Sequence, residues 1–487
     1  MRISGALPQA RALQARILFV LLASVGLVLA ILIFVPPLLA KFTSDTFYLY
    51  ERALIQTPGD IVGLFVPASN NWYRPVTDLV MWLESRAFGQ DPLGYHLVAL
   101  ASHLLCAALV FKITEHLAGN RKAALLAGFI FLVDPHAQQP LWDISFLHVV
   151  LSTPLFLAGL FLYMTRRRLA AWLLAVFILG VDESGLLLIA VIGLYEIIVS
   201  CSSLNRSNLR ASFLRLAPFA IAAIVYLAGR ILAGSIYNEV PSSYRSLKSL
   251  ASAAGEYFSR FILRPDLLLG FLWAHRVVFV VLGLLVVALV LLLVRPWAWR
   301  EKRIPLFALA WLMVATSFFI MTLWPYVADR FLYVPDTAFA VLVGIVVVRA
   351  SEQRLQWSAA RKWASYAAVG ALTAWIAAGA WMMLDRGQLN IAAGDHAAQI
   401  VKEIHALVPN PPQGAIFVVR DVPYMDTPAI PPGNDGAYLF NNGLPAAIHF
   451  EYGRSDLTVI VGRDGSALAP AGAFLFDIRG YSVVLLP

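Results

Sequence analysis

The sequence predicts an all-α polytopic membrane protein with a small α/β domain at its C-terminal end. Three observations predict it. Of 487 residues, 60% are apolar and 14% charged, whereas a soluble globular chain is roughly a quarter charged. Apolar runs near the roughly 20 residues that a bilayer-crossing helix needs recur along most of the chain, and mean hydropathy is +0.74. From about residue 388 these runs give way to short apolar stretches broken by Pro and Gly. A water-soluble enzyme and a disordered chain are both excluded.

Arg2, Arg11 and Arg16 precede an apolar run over 17–40. That run exceeds the roughly 7–15 residues of a signal-peptide core, so it is expected to remain as a signal anchor and first transmembrane helix. Further runs predict helices near 94–117, 122–138, 141–164, 168–182, 184–201, 212–233, 276–295, 304–324, 331–349 and 364–384. The expected total is about eleven spans.

Basic residues orient them. With the N-terminus inside, the inner loops hold Arg121 and Lys122, then Arg166, Arg167 and Arg168, and later Arg300, Lys302 and Arg303. The short outer turns hold Asp134, Asp143, Asp182, Glu183 and Asp329. The positive-inside rule therefore predicts a cytoplasmic N-terminus and an extracytoplasmic tail, as in a multi-pass protein of an inner membrane. The net charge of +8 is explained by these loops rather than by nucleic acid. Cys106 and Cys201 read as small apolar packers.

Two outer loops, 41–93 and 234–275, are too long to be simple turns. After Pro75, the residues Val76, Leu79, Val80 and Leu83 recur at helical spacing. This predicts an amphipathic helix along the membrane surface; a second is expected over 247–263. The tail predicts a helix over 395–407 and strands over 415–422, 457–461, 473–478 and 482–486, the last two joined at Arg479-Gly480. The expected domains are thus 1–387, transmembrane, and 388–487, a small periplasmic α/β unit.

Ionisable residues at membrane depth are costly and are functional candidates for that reason. The predicted outer ends carry Asp45, Tyr73-Arg74-Pro75, His96 and His103, Asp134-Pro135-His136, Asp143, Asp182-Glu183, and Asp329-Arg330 with Tyr333 following. Each also has a plainer reading. Asp45 and Glu183 would serve as helix caps. Tyr73 and Arg74 would anchor at the interface, and the histidines would be packed and hydrogen-bonded. Asp134 and His136 lack the four-ligand spacing of a zinc site, so no metal ligand is assigned.

The ordered set resembles the GT-C superfamily of membrane glycosyltransferases, in particular its protein O-mannosyltransferase and TMTC-like branches. The resemblance runs through Asp45, Tyr73-Arg74-Pro75, Gly94-Tyr95-His96 with His103, Asp134-Pro135 with Trp142, Glu183-Ser184, and Asp329-Arg330-Phe331-Leu332-Tyr333-Val334-Pro335. It spans about residues 17–349. The chain departs from the family at Asp134, where His is common, at Gln139, where Glu is common, at Asp182, where Lys is common, and at Ser44, where a second acid is common.

The resemblance implies transfer of a sugar from a polyprenyl-phosphate donor to a hydroxyl of a protein or envelope glycan, with inversion, at the outer membrane face. Asp45 is then expected as the catalytic base, and Arg330 with Arg74 as the groups that bind the donor phosphate. Tyr73, His96, Asp134, His136, Glu183, Asp329 and Tyr333 are expected to line the cavity. No cofactor is assigned, although a divalent cation fits the chemistry. A lipid-linked sugar flippase or transporter, and a non-catalytic scaffold of the same fold, stand as the alternatives.

Overall fold

The structure, a computed structural model, describes residues 30–52, 57–65, 73–201, 206–232, 246–263, 299–323, 328–353, 359–423, 437–462 and 469–486, with a few single positions besides. Most of the expected first helix before residue 28 lies outside the described residues. So does the predicted span at 276–295, apart from single positions.

Among the described residues, five helical segments are long and apolar enough to cross a membrane: Pro92–Ala118, Ile144–Met164, Ser207–Leu232, Glu301–Ile320 and Tyr333–Glu352. The protein is a multi-pass membrane protein. Shorter apolar helices cover Ala30–Leu39, Arg168–Leu179 and Ser184–Ser200. The 41–93 loop carries α1 (Thr46–Arg52), α2 (Pro58–Leu64) and α3 (Pro75–Phe88). Helix α3 begins where the amphipathic pattern begins, because Pro75 occupies its first turn, where a missing N–H costs nothing.

Helices α4 (Pro92–Ala118) and α5 (Arg121–Leu132) lie antiparallel across a tight turn. Asp91 caps the first of them and the Asn120 side chain caps the second, accepting from the N–H groups of Lys122 and Ala123. The predicted span at 122–138 is not one helix. Helix α5 has 12 residues, about 18 Å of length, which is short of the roughly 30 Å hydrocarbon layer. Beyond it the chain makes a 3₁₀ turn at Pro135–Ala137, a short helix α6 (Gln138–Trp142) and another 3₁₀ turn at Ile144–Phe146. Pro135 and Pro140 break the helix here. The irregular backbone is buried within the protein, the condition under which such backbone is tolerated near lipid.

The bundle continues with α7 (Leu147–Met164), α8 (Arg168–Leu179), α9 (Ser184–Tyr195) and α10 (Arg206–Leu232). It is completed by α11 (Leu247–Leu263), α12 (Trp299–Leu323) and α13 (Tyr333–Gln353). Its core runs through Val110, Ala127, Phe156, Leu188, Trp311 and Val341.

Helix α14 (Ala359–Leu407) is a single helix of 49 residues. It joins the last predicted span to the predicted tail helix, so position 387/388 falls inside it. Four strands follow: β1 (Ile416–Arg420), then, after α15 (Leu444–Tyr452), β2 (Thr458–Val461), β3 (Phe474–Arg479) and β4 (Ser482–Leu486). The sheet order is β2-β1-β3-β4, parallel except for the β3–β4 hairpin. Strand β1 is buried on both faces at Phe417, Val418 and Val419, as a central parallel strand should be.

A second core decides where this sheet sits. Phe417, Val419, Phe440, Ile448 and Phe476 pack in one cluster with Phe42, Phe47, Met81, Tyr95, Ile144 and Leu147. The C-terminal unit is therefore docked on the 41–93 loop and on the adjoining ends of α4 and α7.

Candidate active site

Asp45 stands at the head of α1, just after Ser44, whose φ of 58° is in the left-handed region. Both of its carboxylate oxygens are met by the C-terminal unit. The Asn441 side-chain N–H donates to Oδ2 at 2.7 Å, and the Asn442 backbone N–H donates to Oδ1 at 3.0 Å. The neighbouring Ser44 N–H donates to the Leu439 carbonyl at 2.7 Å. Gly443 is required at this contact, because a Cβ there would run into the Ser44 carbonyl oxygen.

Asp143 faces Asp45 electrostatically. Burial pushes the Asp143 carboxyl up to about 6, and the Asp45 charge adds to that. Asp143 caps the turn leading into α7, accepting from the Ser145 N–H at 3.0 Å. Four residues earlier, Gln139 reaches the other side of the site. The Arg330 guanidinium donates to Gln139 Oε1 at 3.3 Å and to the Tyr438 hydroxyl at 3.5 Å. It also lies 4.5 Å from the centre of the Phe146 ring and 4.6 Å from that of Phe331. The base candidate and the phosphate-binding candidate are thus tied to the same two short segments, 139–146 and 438–442.

Arg74 completes this side. Helix α3 is held to the α8–α9 turn by two hydrogen bonds. The Val76 N–H donates to the Gly180 carbonyl and the Thr77 hydroxyl donates to the Val181 carbonyl, both at 2.9 Å. Gly180 permits this approach, since a Cβ there would lie 2.9 Å from Val76 Cγ2. The docking brings the Arg74 guanidinium 3.4 Å from both Asp182 Oδ2 and Glu183 Oε2. Arg230, from α10, reaches Glu183 Oε1 at 3.2 Å.

The two acids of that turn respond oppositely. Burial raises the Asp182 carboxyl to about 6 against the pull of Arg74. For Glu183, Arg74 and Arg230 outweigh burial and hold the carboxyl below its ordinary range. His148 lies 3.9 Å from Asp182 and feels both the Arg74 and Arg330 charges. Asp45, Arg330, Arg74 and Glu183 are therefore linked through Asp143, Phe146 and His148. Tyr73 sits beside Arg74, its hydroxyl donating to the Phe65 carbonyl at 3.3 Å.

The remaining candidates form buried contacts of their own. His136 Nδ1 lies 2.9 Å from Asp134 Oδ1 and 3.0 Å from Asp336 Oδ2. Burial alone would lower this imidazole, but Asp336 and Asp134 raise it to about 10. Among the described residues, these three are the group that could hold a metal ion. They offer one nitrogen and two carboxylates, short of a closed four-ligand zinc set, and the same atoms make a buried ion-paired clamp.

His103 Nδ1 pairs with the Tyr333 hydroxyl at 2.8 Å. His96 Nε2 meets the Ala40 carbonyl at 3.1 Å. Asp329 is paired with Arg260 of α11, which also donates to Glu256 at 2.8 Å. The sequence reading did not single out His148, Arg230, Asp336, Tyr438 or Asn441. Asp336 lies 200 residues from His136, and no local pattern links them.

No family model matches the chain. ArnT from Cupriavidus metallidurans in the apo state superposes with a TM-score of 0.51 at 14% identity, covering 92% of this chain and 86% of that one. The chain carries the GT-C fold. Two curated relatives are also similar in sequence. A protein O-mannosyl-transferase of Caenorhabditis elegans is 26% identical over 170 residues, 34% of this chain and 24% of its own length. The protein O-mannosyl-transferase Tmtc1 of Drosophila melanogaster is 31% identical over 123 residues, 22% and 14%. The chain thus spans a quarter or less of the length of the curated relatives it matches. The GT-C resemblance drawn from the motifs, and its O-mannosyltransferase branch, are borne out by these findings.

Proposed function

We propose that this GT-C protein is an inverting membrane glycosyltransferase. It moves a hexose or pentose from a polyprenyl-phosphate donor to a hydroxyl of a protein or envelope glycan. The reaction takes place at the outer face of an inner membrane, with the N-terminus cytoplasmic and the C-terminal unit periplasmic. The observation that carries this reading is that one segment, 438–442, holds Asp45 through Asn441 and Asn442 and meets the Arg330 guanidinium through Tyr438. Similarity to protein O-mannosyl-transferases supports the same reading.

In this mechanism Asp45 accepts the proton of the acceptor hydroxyl. The acceptor oxygen then bonds to the anomeric carbon as the bond from that carbon to the phosphate oxygen breaks. The electron pair leaves with the polyprenyl phosphate. Arg330 meets the growing charge on the leaving phosphate, for which a planar guanidinium is suited. Arg74 is the second phosphate-binding group, its position set by Asp182 and Glu183. Asp143 is held up to about 6, by burial first and by the Asp45 charge in addition.

The test is a mass-spectrometric comparison of envelope glycans and glycoproteins in native, deletion and Asp45→Asn strains at equal protein abundance. One hexose- or pentose-sized mass should vanish in both altered strains. Retention of that mass by Asp45→Asn would refute the base assignment and favour the scaffold or flippase alternative.

A further inference from the structure

The base candidate is held from the C-terminal unit. Its two oxygens are held by Asn441 and by the backbone of Asn442, residues nearly four hundred positions away. The segment that carries them is built for this contact. Asn441 has a φ of 43°, in the left-handed region. Asn is among the few residues that adopt it at small cost. The Gly443 N–H donates to the Phe440 carbonyl, closing the turn. Phe440 is fully buried in the core shared with Phe47. On the same segment, Tyr438 accepts from Arg330. One turn of the C-terminal unit therefore touches both the base and the phosphate-binding guanidinium.

We infer that Asn441 and Asn442 are positioning residues for Asp45, so that the C-terminal unit contributes part of the catalytic centre. The inference rests on Asp45 being the base. A carboxylate has about four lone-pair sites. Two donors, one to each oxygen, fix the rotation of the Asp45 carboxylate. Donors to a carboxylate also favour its charged form over its protonated one. Asp143, on the turn into α7, is the acid that opposes this charge. Further along α1 and on α15, Glu51 and His449 are paired with each other at 2.6 Å.

The experiment complements the deletion strain with wild type, Asp45→Asn, Asn441→Ala and Asn441→Gln. The transferred mass is measured at external pH 4 to 8, a window that reaches the ordinary aspartate range near ~3.9, per unit of membrane-inserted protein. Melting of each purified variant checks its fold. Asn441→Ala should lower transfer about tenfold at the acid end, the weight of one charge-assisted hydrogen bond, and recover as the pH rises. Asn441→Gln, which keeps an amide donor, should lie between the two. Combined with Asp45→Asn, Asn441→Ala should add no further loss.

An equal loss at every pH, with matched melting and full additivity, would make the contact merely structural and overturn the inference. Increased transfer by Asn441→Ala would overturn it as well, because the segment would then be a plug. If Asp45→Asn itself retains transfer, the base assignment fails first and takes this inference with it.

Discussion

At the scale of single residues, the guanidinium of Arg330 is the most heavily furnished group in the site. It lies over the rings of Phe146 and Phe331 and donates to Gln139 and Tyr438. Those contacts fix a plane, and a plane is what lysine lacks. Arg330→Lys keeps the charge and loses the fork, so transfer should fall about 100-fold, with normal insertion in the membrane. Steady-state kinetics on reconstituted protein would check this, using a polyprenyl-phosphate hexose. Unchanged kinetics would show that a point charge suffices. Arg330 was legible in the sequence because it lies in an ordered family motif. Its partners Tyr438 and Phe146 were not legible, since neither residue type signals a role at its own position.

At the scale of elements, α3 shows how an amphipathic pattern sets a helix but not all of its burdens. The pattern after Pro75 marked the helix correctly, and Thr77 and Val76 dock it on the α8–α9 turn. The same helix buries Glu84, with both carboxylate oxygens lacking hydrogen-bond partners. Burial raises this carboxyl from 4.5 to about 8.

The sign for stability follows from proton counting. Between about pH 4.5 and 8 the folded state keeps the Glu84 proton while the unfolded chain loses it, so stability falls as pH rises. Glu84→Gln removes that dependence. The variant should melt higher than wild type at pH 8, by the equivalent of about 2–4 kcal/mol, and match it near pH 4.5. A pH-independent difference in detergent melting curves would contradict this account. Helix α5 gives the converse lesson. Its run looked long enough to span, but Asp134 and Pro135 end it early and turn the chain inward.

At the scale of the whole molecule, the C-terminal unit and the 41–93 loop share one core. Phe417, Phe440 and Phe476 are buried with Phe42, Phe47 and Tyr95. Helix α14 passes without interruption from the bundle to the sheet, and Glu403 on it accepts from the Val483 N–H at 2.7 Å. Truncation after Leu407 should therefore expose Phe42 and Phe47. Limited proteolysis of inserted protein should then cut the 41–93 loop at least 10-fold faster, if the lost packing is worth about 1.4 kcal/mol or more. A loop equally resistant in both forms would mean that the C-terminal unit is an appendage.

What the sequence determined by itself is what short-range chemistry can write. Apolar runs specify membrane helices, Pro75 starts α3, and short apolar stretches between Pro and Gly mark the strands of the sheet. Ordered motifs were enough to indicate the GT-C fold. Only the tertiary structure decided which charges meet. Asp45 with Asn441, His136 with Asp336, Arg74 with Glu183 and Asp329 with Arg260 are all joined across long stretches of chain. Such pairs leave no periodicity behind, because burial near lipid requires a partner for a charge without specifying where along the chain that partner lies.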